Sequence, residues 1–361
     1  MDGLARRMGV EEELLLVDPD DGRPLGLAPA VLPRDEELDG EMRSEQVETG
    51  STPHLDPHAL AADLHQRRAA AARAAAQEGA AVAALATSPV APGEATSVEG
   101  RYGRILDRFG AVATAQLTNG QHVHVEIASR AEGVGVLDRL GPWLPVLRAF
   151  AASSPFWRGV DTGHASYRSV VWSRWPSAGP TRAFGSVEAY DAVVAAMIAT
   201  GTVLDDAMVY FDARLATEFP TVEIRVADVS LTVDDAVAVA LLARGLVTTA
   251  AAAWAAGEPA PDQPVEALRL AHWRAARSGC VPGDNPEAGV LVHPRTGRAA
   301  PATEVLDALL EHVEGSLSAG DLRTVRDACE RVLAGRTGAA AQRAAFAEGG
   351  LTGVVRAARV E

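Results

Sequence analysis

Three short segments of this chain repeat one device: two chemically active side chains placed two residues apart among apolar neighbours. Gly9-Val-Glu-Glu-Glu-Leu14 offers Glu11 and Glu13. Asn119-Gly-Gln-His-Val-His-Val125 offers His122 and His124, and Thr221-Val-Glu-Ile-Arg-Val226 offers Glu223 and Arg225. On a β-strand, residues i and i+2 point to the same face. Asp212 and Arg214 make a candidate fourth pair, on a strand expected to lie beside the third. The flanking apolar residues let the opposite face pack on a core. The chain is therefore expected to build a sheet with one polar working face and one buried face.

Helical patterns fill the intervals. Asp56–Thr87 reads as one long Ala-rich helix. Val98–Thr114, Val136–Ala152, Ser186–Thr200, Thr232–Ala256 and Val265–Ser278 read as further helices, and Thr303 onward as helical pieces broken by Gly. Met8–Val17 reads as a strand entering a hairpin at the turn cluster Asp18-Pro-Asp-Asp-Gly22, and Gly40–Gly50 as an extended segment. Met208–Leu215 with Pro220–Val226, and Val290–Arg298, read as hairpins. Ser153–Gly185 is rich in Gly, Ser, Pro, Trp and Arg and lacks a period, which predicts a long functional loop. Strands scattered among helices, without βαβ alternation, predict an α+β fold with an antiparallel sheet. No Pro/Ser-rich linker cuts the chain, so residues 1–361 are expected to form one catalytic domain.

Composition narrows the partners. The net charge of −15 disfavours nucleic acid and anionic membranes. The chain contains no lysine, which excludes Schiff-base chemistry and a Walker-type phosphate loop. Two cysteines, Cys280 and Cys329, do not make a disulfide framework. No signal-like segment is seen at the start. The most apolar stretch, Ala236–Gly257, carries Arg244 and reads as a buried helix, so a cytoplasmic protein is expected.

Several carboxylates on one sheet face repel each other unless cations intervene. Mg2+, or Mn2+, with oxygen ligands and one imidazole suits this donor set. Arginine on the same face suits phosphate oxygens or a substrate carboxylate. Together these ingredients point to metal-assisted phosphoryl transfer. A metal-dependent amidohydrolase also uses His-x-His on a strand, but it calls for a βα-barrel pattern that is missing here. A nucleotide- or metal-sensing protein without turnover is the other alternative.

The conjunction of motifs resembles a known family. Gly-Val-Glu-Glu-Glu at 9–13, Ser44-Glu-Gln-Val-Glu48, Gly-Gln-His-Val-His-Val at 120–125, Ser154-Pro-Phe-Trp-Arg-Gly-Val-Asp-Thr-Gly163 with Ser166 and Arg168, Pro-Thr-Val-Glu-Ile-Arg-Val-Ala-Asp at 220–228, and His293-Pro-Arg-Thr-Gly297 occur in this order. They are similar to those of the carboxylate–amine ligases of the glutamate–cysteine ligase type 2 family, whose catalytic domain resembles glutamine synthetase. The resemblance implies a curved antiparallel sheet with helices on its convex side, binding ATP and Mg2+ on the concave face. It implies Glu11, Glu13, Glu41, Glu48, His122 and Glu223 as metal ligands, His124 at the ATP phosphates, and Arg225 at the transferring phosphoryl group. Arg168, with Ser166 beside it, and more weakly Arg214 become candidates for substrate carboxylate or phosphates. The substrates implied are glutamate and cysteine or another amine, and a homodimer is implied. Glu41 and Glu48 are seven residues apart, so a regular strand would send them to opposite faces; a bulge or bend must intervene, or Glu45 takes the place of one of them.

Overall fold

The computed structural model describes residues 5–93, 100–282 and 286–360. The alternating segment at the start becomes β1 (Met8–Val17), followed by α1 (Ala28–Val31), β2 (Leu38–Gly40), β3 (Gln46–Gly50), α2 (Pro57–Gln77) and β4 (Ala81–Ala83). Next come α3 (Gly100–Phe109), α4 (Ala111–Thr114), β5 (Gly120–Glu126), α5 (Arg130–Leu140) and α6 (Leu144–Phe150). A two-residue hairpin, β6 (Phe156–Trp157) and β7 (Val160–Asp161), leads to α7 (Tyr167–Trp172) and α8 (Val187–Ala199). Then follow β8 (Ala213–Leu215), β9 (Thr221–Asp228), α9 (Val233–Ala255), α10 (Val265–Ser278), β10 (Val290–Val292), β11 (Ala299–Pro301), α11 (Ala302–Val313), α12 (Ala319–Leu333) and α13 (Gly338–Ala357).

The main sheet runs β2-β3-β1-β5-β9-β8, with β4 also paired to β1, and each pairing is antiparallel. Mixed helices and an antiparallel sheet make an α+β fold, as the scattered strands predict. The alternation of β1 divides its side chains by parity. Met8 and Val10 join Val123, Val125, Val222 and Ile224 in the core, packed on Leu60 and Leu64 of α2 and on α5, α6 and α9. Glu12 shares their face and is fully buried; its carboxylate takes Arg68 of α2 in a fork, at 2.6 and 2.8 Å. Arg68 also donates to the carbonyls of Ser230 and Leu231. Odd-numbered Glu11 and Glu13 are left on the opposite face.

α9 is long and apolar enough to cross a membrane, yet it is the central packing helix of the core. Its Thr232 cap accepts the Asp235 N–H at 3.2 Å and donates to the Asp235 carboxylate at 2.8 Å, a reciprocal start signal legible in the sequence.

Four sequence expectations are corrected. The helix expected over 56–87 ends at Gln77, because Gly79 takes a positive φ of 74° and turns the chain into β4. The Asp18–Gly22 turn returns only as far as a single bridge, Val17 to Pro24, so β1 finds its neighbours in β3 and β5 instead of a hairpin partner. The helix expected over 136–152 starts earlier, at Arg130 under a Ser129 cap, and breaks at Gly141-Pro142. The long loop 153–185 contains β6, β7 and α7. The helix expected from Val98 is described from Gly100; residues 98 and 99 lie outside the described residues.

Candidate active site

Strand register and side-chain parity assemble the site. Glu13 pairs with Glu48 across β1–β3, Glu11 with His122 across β1–β5, His124 with Glu223 across β5–β9, and Arg214 with Glu223 across β8–β9. Residues separated by 212 positions in the chain thus form one continuous polar row over five strands. A register shift between Gln121 and Val123 breaks the β5–β9 ladder beside His122. Such irregularities re-aim side chains. Here Arg225 Nη1 comes within 3.4 Å of His122 Nδ1.

The chain bends between β2 and β3, and this bend resolves the seven-residue spacing. Glu48 lies on β3, whereas Glu41 lies in the turn, so the strand parity rule does not separate them. Glu13, Glu41 and Glu48 offer carboxylate oxygens within 4.8 Å of one another. Glu11, His124 and Glu223 form a second group with the same spacing. His122 sits between the two, with Nδ1 3.3 Å from Glu11 and 3.8 Å from Glu223, and Nε2 3.8 Å from Glu13. Glu45 belongs to neither group, because Arg43 holds it in a fork at 2.6 and 3.1 Å.

Electrostatics separate the carboxylates into paired and unpaired sets. Burial alone would raise Glu223, but Arg225 and Arg214 bring it down to about 2. Arg214 Nε donates to it at 2.6 Å, and Arg225 Nη1 donates to its other oxygen. Burial likewise opposes Glu11, and His122 and His124 reverse it, holding Glu11 well below the ordinary range. Glu48 moves the other way: burial and the nearby Glu41 push it well above its ordinary value. Glu13 rises for the same reasons, burial first, with Glu41 adding to it. The buried Nε2 of His122 makes no hydrogen bond among the described residues, whereas His124 Nε2 pairs with Glu11 at 3.0 Å. Crowded oxygens, the mutual repulsion of Glu13, Glu41 and Glu48, and the unfilled His122 Nε2 fit hard divalent cations such as Mg2+.

Glu11 and Glu48 are shared by two cavities. The smaller, about 210 Å3, contains Glu13, Glu41, His122, Arg214 and Arg225, with Trp172, Trp175, Tyr102 and Tyr210 as aromatic walls. The larger, about 580 Å3, contains His124, Thr221, Phe219 and Arg67.

Of the residues singled out from sequence, nine converge on this face: Glu11, Glu13, Glu41, Glu48, His122, His124, Arg214, Glu223 and Arg225. Arg168 is buried beside them, its guanidinium 5.7 Å from the Trp172 ring centre, where Arg225 stands at 5.8 Å. Ser166 does not line either cavity. It is fully buried and donates to Asp228 at 2.8 Å. Asp212 does not share a face with Arg214, because it precedes β8 and turns into the core, 2.8 Å from Arg148 and 3.2 Å from His272. Glu126, at the exposed end of β5, binds the Arg7 N–H at 3.2 Å. Sequence reasoning missed Gln46, Tyr102, Arg101 and Tyr210 on the wall of the smaller cavity. Gln46 stands two residues before Glu48 on β3, a spacing that could have marked it, whereas Arg101, Tyr102 and Tyr210 lie outside the motifs.

Comparison with known proteins shows the family and the fold. The family model described as glutamate-cysteine ligase family 2 matches residues 7–357. A provisionally named glutamate–cysteine ligase 2-1 of Streptomyces avermitilis is 50% identical over 346 residues, 94% of each chain. A provisionally named glutamate–cysteine ligase 2 of Streptomyces coelicolor is 50% identical over 353 residues, 96% of this chain and 95% of the other. Among solved structures, a glutamate–cysteine ligase of Francisella tularensis in complex with AMP superposes with a TM-score of 0.74. It shares 14% identity and covers 98% of this chain and 88% of that one, a likeness of fold.

Proposed function

The chain belongs to glutamate–cysteine ligase family 2, a family of carbon–nitrogen ligases, and on that premise we propose that it joins glutamate to cysteine at the expense of ATP. The observation that carries the proposal is the pair of ligand groups, Glu13/Glu41/Glu48 and Glu11/His124/Glu223, set where two cavities meet. The AMP bound by the Francisella relative supports a nucleotide as one occupant.

A carboxylate does not condense with an amine at neutral pH, because oxide is a poor leaving group. Phosphorylation makes it reactive. We assign ATP to the larger cavity, with its phosphates toward His124 and Glu11, and glutamate to the smaller, beside Arg225. The γ-carboxylate oxygen attacks the γ-phosphorus, the bond to ADP breaks, and an acyl phosphate forms. The amine nitrogen then attacks the acyl carbon, loses a proton, and phosphate departs with its bonding pair. Mg2+ held by Glu13, Glu41 and Glu48 and by Glu11, His124 and Glu223 would supply charge neutralisation for the phosphates.

The protein's own groups do the rest. Arg225, locked to Glu223, holds fixed positive charge where the phosphoryl group passes. Glu223 keeps Arg214 and Arg225 oriented while remaining ionised. Trp172 and Tyr210, 4.8 Å apart by ring centres, wall off the small cavity and restrict water.

The test is ADP formation with Mg-ATP and glutamate, with and without a panel of amines. ADP release that requires both glutamate and cysteine supports the proposal. Release requiring another amine replaces the acceptor. Tight Mg-ATP binding without ADP under any pairing sinks turnover and favours a sensing protein.

A further inference from the structure

Arg168 poses a physical problem. Its side chain is almost wholly buried, at 2% exposure, and its guanidinium has the Trp172 ring at 5.7 Å but no hydrogen bond or ion pair among the described residues. Its Nε is a buried donor without a partner. A buried charge without a close partner is costly, so the surroundings must impose its position. The imposing network is visible in its backbone. The Arg168 N–H donates to Ser154 Oγ at 3.0 Å, and Ser154 Oγ donates to Asp228 Oδ2 at 2.7 Å. The same Asp228 oxygen accepts the Ser153 N–H at 2.8 Å, while Oδ1 accepts Ser166 Oγ at 2.8 Å. The Ser154 N–H donates to the Ala165 carbonyl and the Tyr167 N–H to the Ser154 carbonyl, which ties the two serine segments together.

Asp228 ends the strand that carries Glu223 and Arg225, and its register partner is Gly120. Gly120 leaves the space that the Arg168 guanidinium occupies. A Cβ there would stand 2.1 Å from Arg168 Nη2 and 2.8 Å from Cζ. Arg168 is therefore fixed from two sides: its backbone by Asp228, its side chain by an absent methyl group.

We propose that Asp228 is a positioning residue, which sets Arg168 over the sheet face through Ser154 and Ser166, with Gly120 as the gap that admits the guanidinium. For its kinetic arm this inference rests on the ligase reading above. The Asp228 carboxylate accepts from three donors at once. An asparagine amide would turn its own N–H bonds toward one set of them, so Asp228→Asn frees the Arg168 segment without changing volume.

The experiment measures steady-state kinetics and amide hydrogen exchange over residues 165–169 for wild type, Asp228→Asn, Arg168→Gln, Gly120→Ala and the Asp228→Asn/Arg168→Gln double variant. The expected result has three parts. Asp228→Asn and Gly120→Ala each lower kcat/KM at least about tenfold, in the same direction as Arg168→Gln. In the Arg168→Gln background, Asp228→Asn adds less than about a threefold further loss, because both act through one group. The Arg168 amide exchanges faster in Asp228→Asn but not in Gly120→Ala. Independent, multiplicative losses would overturn the proposal, as would unchanged exchange in Asp228→Asn. If Asp228→Asn does not fold, Ser166→Ala removes only one of the three donors, and an unchanged exchange rate at 165–169 again overturns it. A wild type that makes no ADP with any acid and amine refutes the ligase reading alone; the exchange comparison then decides the network without it.

Discussion

Glu12 sits between two site carboxylates, and its substitution separates the two faces of β1. Glu12 is fully buried and its partner Arg68 is held by the carboxylate and by two backbone carbonyls. Removing one partner of a buried ion pair leaves an uncompensated charge and costs about 3–5 kcal/mol. The Ser230 and Leu231 carbonyls keep part of the guanidinium satisfied, so Glu12→Ala belongs near the lower end, about 3 kcal/mol. At about 2.1 cal/mol/K of unfolding entropy per residue, 361 residues convert that loss to a Tm decrease of about 4 °C. Glu13→Gln is the internal control. Glu13 faces Glu41 and Glu48, and burial with Glu41 already biases it toward its neutral form. An isosteric neutral amide should therefore change stability by less than about 1 kcal/mol when divalent ions are chelated. The assay is denaturant and thermal unfolding of both variants in EDTA. Equal destabilisation by Glu12→Ala and Glu13→Gln, or no destabilisation by Glu12→Ala, would refute the assignment of the two faces.

Other expected outcomes follow from the same structure. Mg2+ should raise the Tm of wild type, by the equivalent of about 2.7 kcal/mol at one hundred times Kd, and Glu48→Gln should reduce that gain; a Mg2+-independent Tm in calorimetry would contradict the ligand groups. Burial, with Arg148 second, holds His272 at about 3 against its ordinary 6.5, although Asp212 pulls the other way. Its stabilising contribution is present above pH 6.5. It is lost as pH falls toward 3, by at most about 1.4 kcal/mol per pH unit, because the unfolded chain takes up the proton first. His272→Gln should flatten this part of a stability–pH curve; an unchanged slope would count against it. A Cβ on Gly135 would stand 2.2 Å from the Trp254 ring, where α5 meets α9. Gly135→Ala should cost about 1–3 kcal/mol by overpacking, read by denaturant unfolding, and a neutral result would show that Trp254 moves aside freely.

Much of the site was legible because period-two alternation carries geometric information. Glu11 and Glu13, His122 and His124, and Glu223 and Arg225 each share a face on an observed strand, and the expected helix over Val265–Ser278 matches α10 residue for residue. What alternation cannot carry is contact between distant segments. Arg148, Asp212 and His272 converge from α6, the approach to β8 and α10, and no spacing along the chain records it. Parity failed for Asp212 because its strand begins one residue later, at Ala213. Parity was likewise silent for Glu41, which reaches the group from a turn. The Ala-rich stretch after Asp56 hid β4, since a run of one small residue has neither period, and only the positive φ at Gly79 marks the change. Ser166 looked like a ligand residue from its neighbour Arg168; its partner Asp228 lies 62 positions away.

The central claim is that ATP activates a carboxylate on this sheet face before the amine attacks. It is tested most directly with glutamate carrying 18O in both γ-carboxylate oxygens, incubated with Mg-ATP, cysteine and the protein. An acyl-phosphate route predicts ADP and phosphate bearing one 18O atom per turnover, with the other label kept in the γ-glutamyl product. Unlabelled phosphate, or AMP with pyrophosphate, would contradict it.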